Sequence, residues 1–179
     1  MDTAAADAMK TLSPFDGDEI NVIIDTPRNS HTKYKFDERK GLYKLAAVLT
    51  AGHMFPFDFG SIPGTKGDDG DALDVLVLME EPAFVGCLVK CRLIGGIAAE
   101  QIEKGRTERN DRLMAVARKS VLYGDVHFLK DLNERLIDQV EHFFVSYNEA
   151  KEIGRKFRPL ERFGPSTAAE IIRKATVKK

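Results

Sequence analysis

GCLVKCRLIGGIA, residues 86–98, is the stretch on which the fold class turns. It is apolar enough for a strand and long enough to be two, bent where Gly95 and Gly96 carry no side chain. On its N-terminal side the pattern is also that of strands. EINVIID (19–25) alternates and is β-branched, Thr26 to Ser30 reads as a turn, and Lys33 to Phe36 alternates charged with aromatic residues. The Asp37 to Gly41 turn leads into Leu42 to Leu49, and Leu73 to Met79 is a nearly continuous apolar strand. On the C-terminal side TERNDR (107–112) is polar and reads as a loop, LMAVA (113–117) as a short strand, and Asp125 to Asp131 as a connector. Then Leu132, Leu136, Val140, Phe143 and Tyr147 recur at helical spacing, widened by Ile137 and Phe144. Pro165 and the Thr167–Glu170 capping box start a second helix, with Ile171, Ile172 and Ala175 facing inward. Strands first and helices last predict an α+β chain, a small barrel or curled sheet with helices packed outside.

The 179 residues suit one domain, 1–179, with residues 1–18 as an N-terminal arm. Lys plus Arg is 27 and Asp plus Glu is 28. That balance argues against a nucleic-acid binder, which needs a basic excess to neutralise phosphates. No apolar run reaches 18 residues, so no membrane span is expected, and the start MDTAAADAMK is not that of a signal peptide. Cys87 and Cys91 read as structural thiols of a strand in a reducing cytoplasm.

The chemistry concentrates in KGDDGDALD, residues 66–74. Four carboxylates lie within seven residues. At about 5 Å and an effective dielectric near 20, each like-charge pair costs roughly 3 kcal/mol. Gly67 and Gly70 let the backbone turn so that several oxygens converge. A hard divalent cation is the natural compensating charge, and oxygen-only donors suit Mg²⁺. A solvated acidic turn is the plain alternative. An EF-hand is not, because Asp74 stands at the loop position that needs glycine and a strand follows.

DGDALDV (69–75), preceded by FPFDFGSIP (55–63), resembles the acidic motif of the soluble inorganic pyrophosphatases. INVIIDTPRNSHTKYKFD (20–37), GLYKLAAVLTAGHMFPFDFGSIPGT (41–65) and EHFFVSYNEAKE (141–152) resemble further segments of that family, in order. The resemblance implies an OB-like barrel with a five-stranded core, hydrolysis of pyrophosphate with Mg²⁺ (Mn²⁺ as the alternative metal), and assembly as a homo-oligomer. It implies Asp69, Asp71 and Asp74 as metal ligands, and Asp71 also as the general base on the attacking water. Lys33, Tyr147 and Arg112 match phosphate-binding groups, Arg112 standing where the family has lysine, and Tyr147 also falls in the catalytic set. Asp25 stands where the family has glutamate. On its own, Tyr147 reads as a core residue and Lys33 as a solvated strand lysine.

The departures cluster at the same site. Lys35 replaces an acidic residue, Ala47 an arginine, and Phe55 and Phe59 two tyrosines. Gln101 and Asn110 replace two aspartates, and Asn148 a lysine. The longer segment from Gln101 to Arg112 puts Glu100, Glu103 and above all Asp111 forward as replacement donors. These losses predict weak hydrolysis. They also keep open a divergent relative that binds phosphorylated ligands or a partner with little turnover, and a hydrolase of another phosphorylated substrate.

Overall fold

The computed structural model describes residues 11–177. Its centre is a ring of five strands. β1 (Phe15–Asp16) is a short flap on β2 (Glu19–Thr26), and β2 pairs antiparallel with β5 (Asp58–Ser61). β5 pairs antiparallel with β6 (Asp74–Leu78), and β6 runs parallel to β9 (Arg112–Ala117). β9 pairs with β7 (Leu88–Glu103), and β7 returns to β2 through Ile20 opposite Cys91 and Ile23 opposite Leu88. The circuit β2–β5–β6–β9–β7 closes without a free edge, as the barrel reading expected. A separate hairpin of β3 (Thr32–Asp37) and β4 (Leu42–Val48) stands beside it.

The 86–98 stretch resolves differently from the expected strand pair. β7 is one strand of 16 residues. Its first residues pair with β2, its middle with β9, and its end with β8 and β10. The register shifts between Leu93 and Gly95, which bends the strand without ending it. Gly95 has φ +137°, and a side chain there would run into the Phe163 carbonyl. The glycine thus permits a bulge and a close backbone approach.

Burial on both faces explains the continuous apolar runs of β6 and β9. Leu76, Leu78, Met114 and Val116 join one core cluster with Phe55, Phe59, Phe144 and Phe157. Val75, Val77, Leu113 and Ala115 join a second with Ile20, Ile24 and Ile172. A 3₁₀ turn at Leu129–Asp131 leads to α1 (Glu134–Lys151), which supplies Ile137, Val140, Phe144 and Tyr147 to the first cluster. α2 (Pro165–Ala175) supplies Ala168 and Ile172 to the second.

Three details correct the sequence reading. Residues 107–109 of the segment read as a loop instead belong to β8 (Arg106–Arg109), folded back on β7. All four β8 residues are exposed, so no buried face left a hydrophobic signal. β10 (Lys156–Phe163) was not anticipated; its only buried residue is Phe157. The capping box at Thr167 is absent, since α2 begins at Pro165 with Gly164 as its cap and no capping side chain. The described part of the N-terminal arm includes β1, and residues 1–10 lie outside the described residues. Cys91 is buried and Cys87 half-buried, both as free thiols.

Candidate active site

The acidic loop is built by its own backbone. Gly67 donates to the Asp71 carbonyl (2.7 Å) and Gly70 to the Gly67 carbonyl (3.0 Å), with Gly70 at φ +83°. The Leu73 amide donates to Thr65 Oγ1 (3.0 Å), whose hydroxyl donates to the Ile62 carbonyl (2.6 Å). Lys66 is tied to the end of α2 through the Ala175 carbonyl. Asp74 opens β6 opposite Ser61.

All of Lys33, Asp69, Asp71, Asp74, Arg112 and Tyr147 line one cleft of 820 Å³, together with Asp25. Residues more than 110 positions apart are brought to one space because β3, the 66–73 loop, β9 and α1 open onto the same side of the ring. One wall is carboxylate. Asp69 is held above the usual carboxylate range by burial, and the negative charges of Asp74 and Asp71 add to the effect. Asp25 is raised to about 7, first by burial and then by Asp74, while Ser61 and Lys33 pull it back. Asp71 accepts an ion pair from Lys35 (2.6 Å), and Asp74 one from Arg112 (2.8 Å).

The facing wall is cationic and aromatic. Arg112 is buried, and its guanidinium lies 4.9 Å from the Phe144 ring centroid and 5.2 Å from that of Phe157. Such stacking fixes the plane of the charge. Lys33 Nζ sits 5.0 Å from the Phe59 centroid and 5.8 Å from that of Tyr147. Tyr147 is 8% exposed, and its buried hydroxyl has no hydrogen-bond partner among the described residues. A core tyrosine normally satisfies that group.

Two cleft cations escaped the sequence reading, Lys151 and Arg155. Lys151 had a signal: it lies four residues after Tyr147, on the same face of α1. Its pKa is lowered by burial, with Arg155 and Lys33 adding repulsion. Arg155 lies beyond the helix in an irregular turn and had none. The expected replacement donors do not enter the cleft. Asp111 accepts from the Ala99 amide (3.0 Å) and from Arg109, Glu100 pairs with Arg158, and Glu103 with Arg155.

The donor set of Asp69, Asp71 and Asp74 fits a hard divalent ion, because it is all carboxylate oxygen and Asp69 carries charge that burial penalises. Among the described residues no three His, Cys, Asp or Glu side chains converge closely enough to hold such an ion as they stand. Lys35 and Arg112 engage two of the three carboxylates and would have to yield oxygens to it.

The closed five-stranded barrel thus brings carboxylates and side-chain cations together in one cleft. A family model described as inorganic pyrophosphatase matches residues 22–178. The inorganic pyrophosphatase of Synechocystis sp. is 37% identical over 133 residues, which are 74% of this chain and 76% of that protein. That of Halalkalibacterium halodurans is 35% identical over 153 residues, 86% and 90% of the two chains. The crystal structure of inorganic pyrophosphatase from Thermus thermophilus matches with a TM-score of 0.85 at 28% identity, over 94% of this chain and 96% of that one. The chain belongs to the inorganic pyrophosphatase family.

Proposed function

We propose that this protein hydrolyses inorganic pyrophosphate to two phosphates with Mg²⁺, Mn²⁺ being the alternative metal. The observation that carries the reading is the buried Tyr147 hydroxyl, left without a protein partner in a cleft that also holds Lys33, Arg112 and the aspartates. Asp69, Asp71 and Asp74 would hold the metal, which when bound neutralises phosphate charge and makes water easier to deprotonate. Lys33 and Arg112 bind phosphate oxygens by charge, and the Tyr147 hydroxyl donates to one of them. Asp71 takes the proton from the attacking water as the new P–O bond forms and the bridging P–O bond breaks. The proton then leaves with product.

Hydrolysis is expected to be slow for this family. Ala47 and Asn148 each omit a charge aimed at phosphate, a contact worth roughly 1.5–3 kcal/mol. Losing two such contacts costs about 10² to 10⁴ in rate if nothing replaces them. The protein is proposed to act in the cytoplasm as one domain, and to assemble as a homo-oligomer. No helix among the described residues is long and apolar enough to cross a membrane. Phosphate release from pyrophosphate, tripolyphosphate and nucleotides, each with Mg²⁺ and with Mn²⁺, tests the reading. Release from pyrophosphate above all others supports it. Release only from another substrate, or from none, removes it.

A further inference from the structure

Three family site residues are replaced here by amides, and the structure links them in one network with two arginines. Arg155 donates from Nε to Asn148 Oδ1 (2.8 Å), from one terminal nitrogen to Glu103 Oε2 (2.6 Å), and from the other to Gln101 Oε1 (2.7 Å). Gln101 Oε1 also accepts from Asn110 Nδ2 (2.9 Å), and Asn110 Oδ1 accepts from Arg112. A hydrogen-bonded wall thus runs from Arg155 through Gln101 and Asn110 to Arg112. Its middle members, Gln101 and Asn110, are neutral, so each guanidinium is offset by one carboxylate only, Arg155 by Glu103 and Arg112 by Asp74.

We propose, on the pyrophosphatase reading above, that Arg155 is a pyrophosphate-binding residue of this chain. Its side chain is 14% exposed and lines the cleft beside Lys151. Three of its five N–H donors are engaged by the knot, which leaves two on a fixed plane. A locked guanidinium loses little freedom on meeting a phosphate, and its fork matches two phosphate oxygens. Arg155 therefore supplies, as a permanent protein charge, part of what the family pattern places at Ala47 and Asn148. With Gln101 and Asn110 in place of carboxylates, this wall attracts the anion directly.

The competing role is structural, with Arg155 merely fastening the turn after α1 to β7. The two roles separate by sign. Calorimetric titration with imidodiphosphate, a pyrophosphate analogue with a non-hydrolysable bridge, is run on the unaltered protein, Arg155→Gln, Arg155→Lys and Glu103→Gln, with thermal melts of each. Binding to Arg155→Gln should weaken about 10- to 100-fold, with Arg155→Lys between it and the parent. Binding to Glu103→Gln should tighten about threefold or more, because the guanidinium loses its counter-ion while the amide still accepts its hydrogen bond. A structural role lowers the melting temperature of both variants and tightens binding in neither. Unchanged affinity in a folded Arg155→Gln, or no gain in Glu103→Gln, overturns the assignment. Where Arg155→Gln does not fold, Glu103→Gln decides alone. An unaltered protein that neither binds the analogue nor hydrolyses pyrophosphate overturns the pyrophosphatase reading itself, a different result from variants that bind as the parent does.

Discussion

The two walls of the cleft handle charge in opposite ways. The wall built from the 66–74 loop, with Asp25 on β2, gathers carboxylates that burial and mutual repulsion push toward their protonated forms at Asp25 and Asp69. In the wall built from β7, β9 and the end of α1, Gln101, Asn110 and Asn148 share hydrogen bonds with two arginines, while the Tyr147 hydroxyl and Arg112 Nε stay buried without a partner among the described residues. In the first wall Asp71 and Asp74 are met by the side-chain cations of Lys35 and Arg112, and in the second the amides are held by hydrogen bonds. The comparison locates divergence within one site. The acidic side carries the aspartates that match the family's motif, while on the facing side amides stand where the family has charged groups.

The largest expected effect breaks the comparison at its acidic end. Asp71→Asn should lower turnover about 10² to 10⁴-fold with little change in melting temperature, measured as phosphate release against pyrophosphate. Unchanged turnover would place the proton transfer elsewhere. Next, Asp74→Asn should weaken Mg²⁺ binding about tenfold or more by calorimetry. It should also lower the melting temperature, since it strips the buried Arg112 of its carboxylate. Mg²⁺ affinity equal to the parent's would take Asp74 out of the metal site.

Lys35→Glu sharpens the comparison by extending the acidic wall. Lys35 now holds Asp71 in an ion pair, with both side chains about half exposed (50% and 56%). Removing that competitor and adding an oxygen donor should lower the Mg²⁺ concentration for half-maximal activity, by about two- to tenfold. A higher requirement would mean that Lys35 serves the substrate.

The smallest effect concerns stability. Asp25 has a folded pKa of about 7, above its ordinary value of 3.8. The folded state therefore binds this proton more tightly than the unfolded state. Its contribution grows as pH falls from 7 toward 4 and is lost as pH rises through 7. Asp25→Asn should raise the melting temperature by about 4–8 °C at pH 8 without divalent metal, and by much less at pH 5. An equal shift at both values would mean that burial of charge is not the cause.

Four of the five ring strands, α1 and the aspartate motif were legible because each leaves a local mark; β5 (Asp58–Ser61), four residues set among Gly and Pro, did not. Buried strands are apolar, a helix packed on one side repeats its apolar residues, and four carboxylates within seven residues stand out as a cluster of charge. The axis of α1 was read slightly off: Phe144 and Ile137, taken as widening the stripe, are buried, while Leu136 and Phe143 pack at its margin. β8 and β10 left almost no mark, since exposed or edge strands need no continuous apolar face.

By itself, then, the amino-acid sequence determined the α+β class, the family likeness and the aspartates, all properties of short segments. Only the tertiary structure decided what the substituted residues do. Gln101, Asn110 and Asn148 read in sequence as losses, because a missing charge is visible one position at a time. Arg155, the partner of Gln101 and Asn148, lies 54 positions from Gln101 and meets it only when the turn after α1 is brought against the far end of β7. Asp111, next to Asn110, looked able to replace a ligand, yet the Ala99 amide and Arg109 hold it elsewhere. Hydrogen bonds depend on distances of a few tenths of an ångström between groups remote in the chain. No periodicity or motif encodes such distances, and the packed barrel alone sets them.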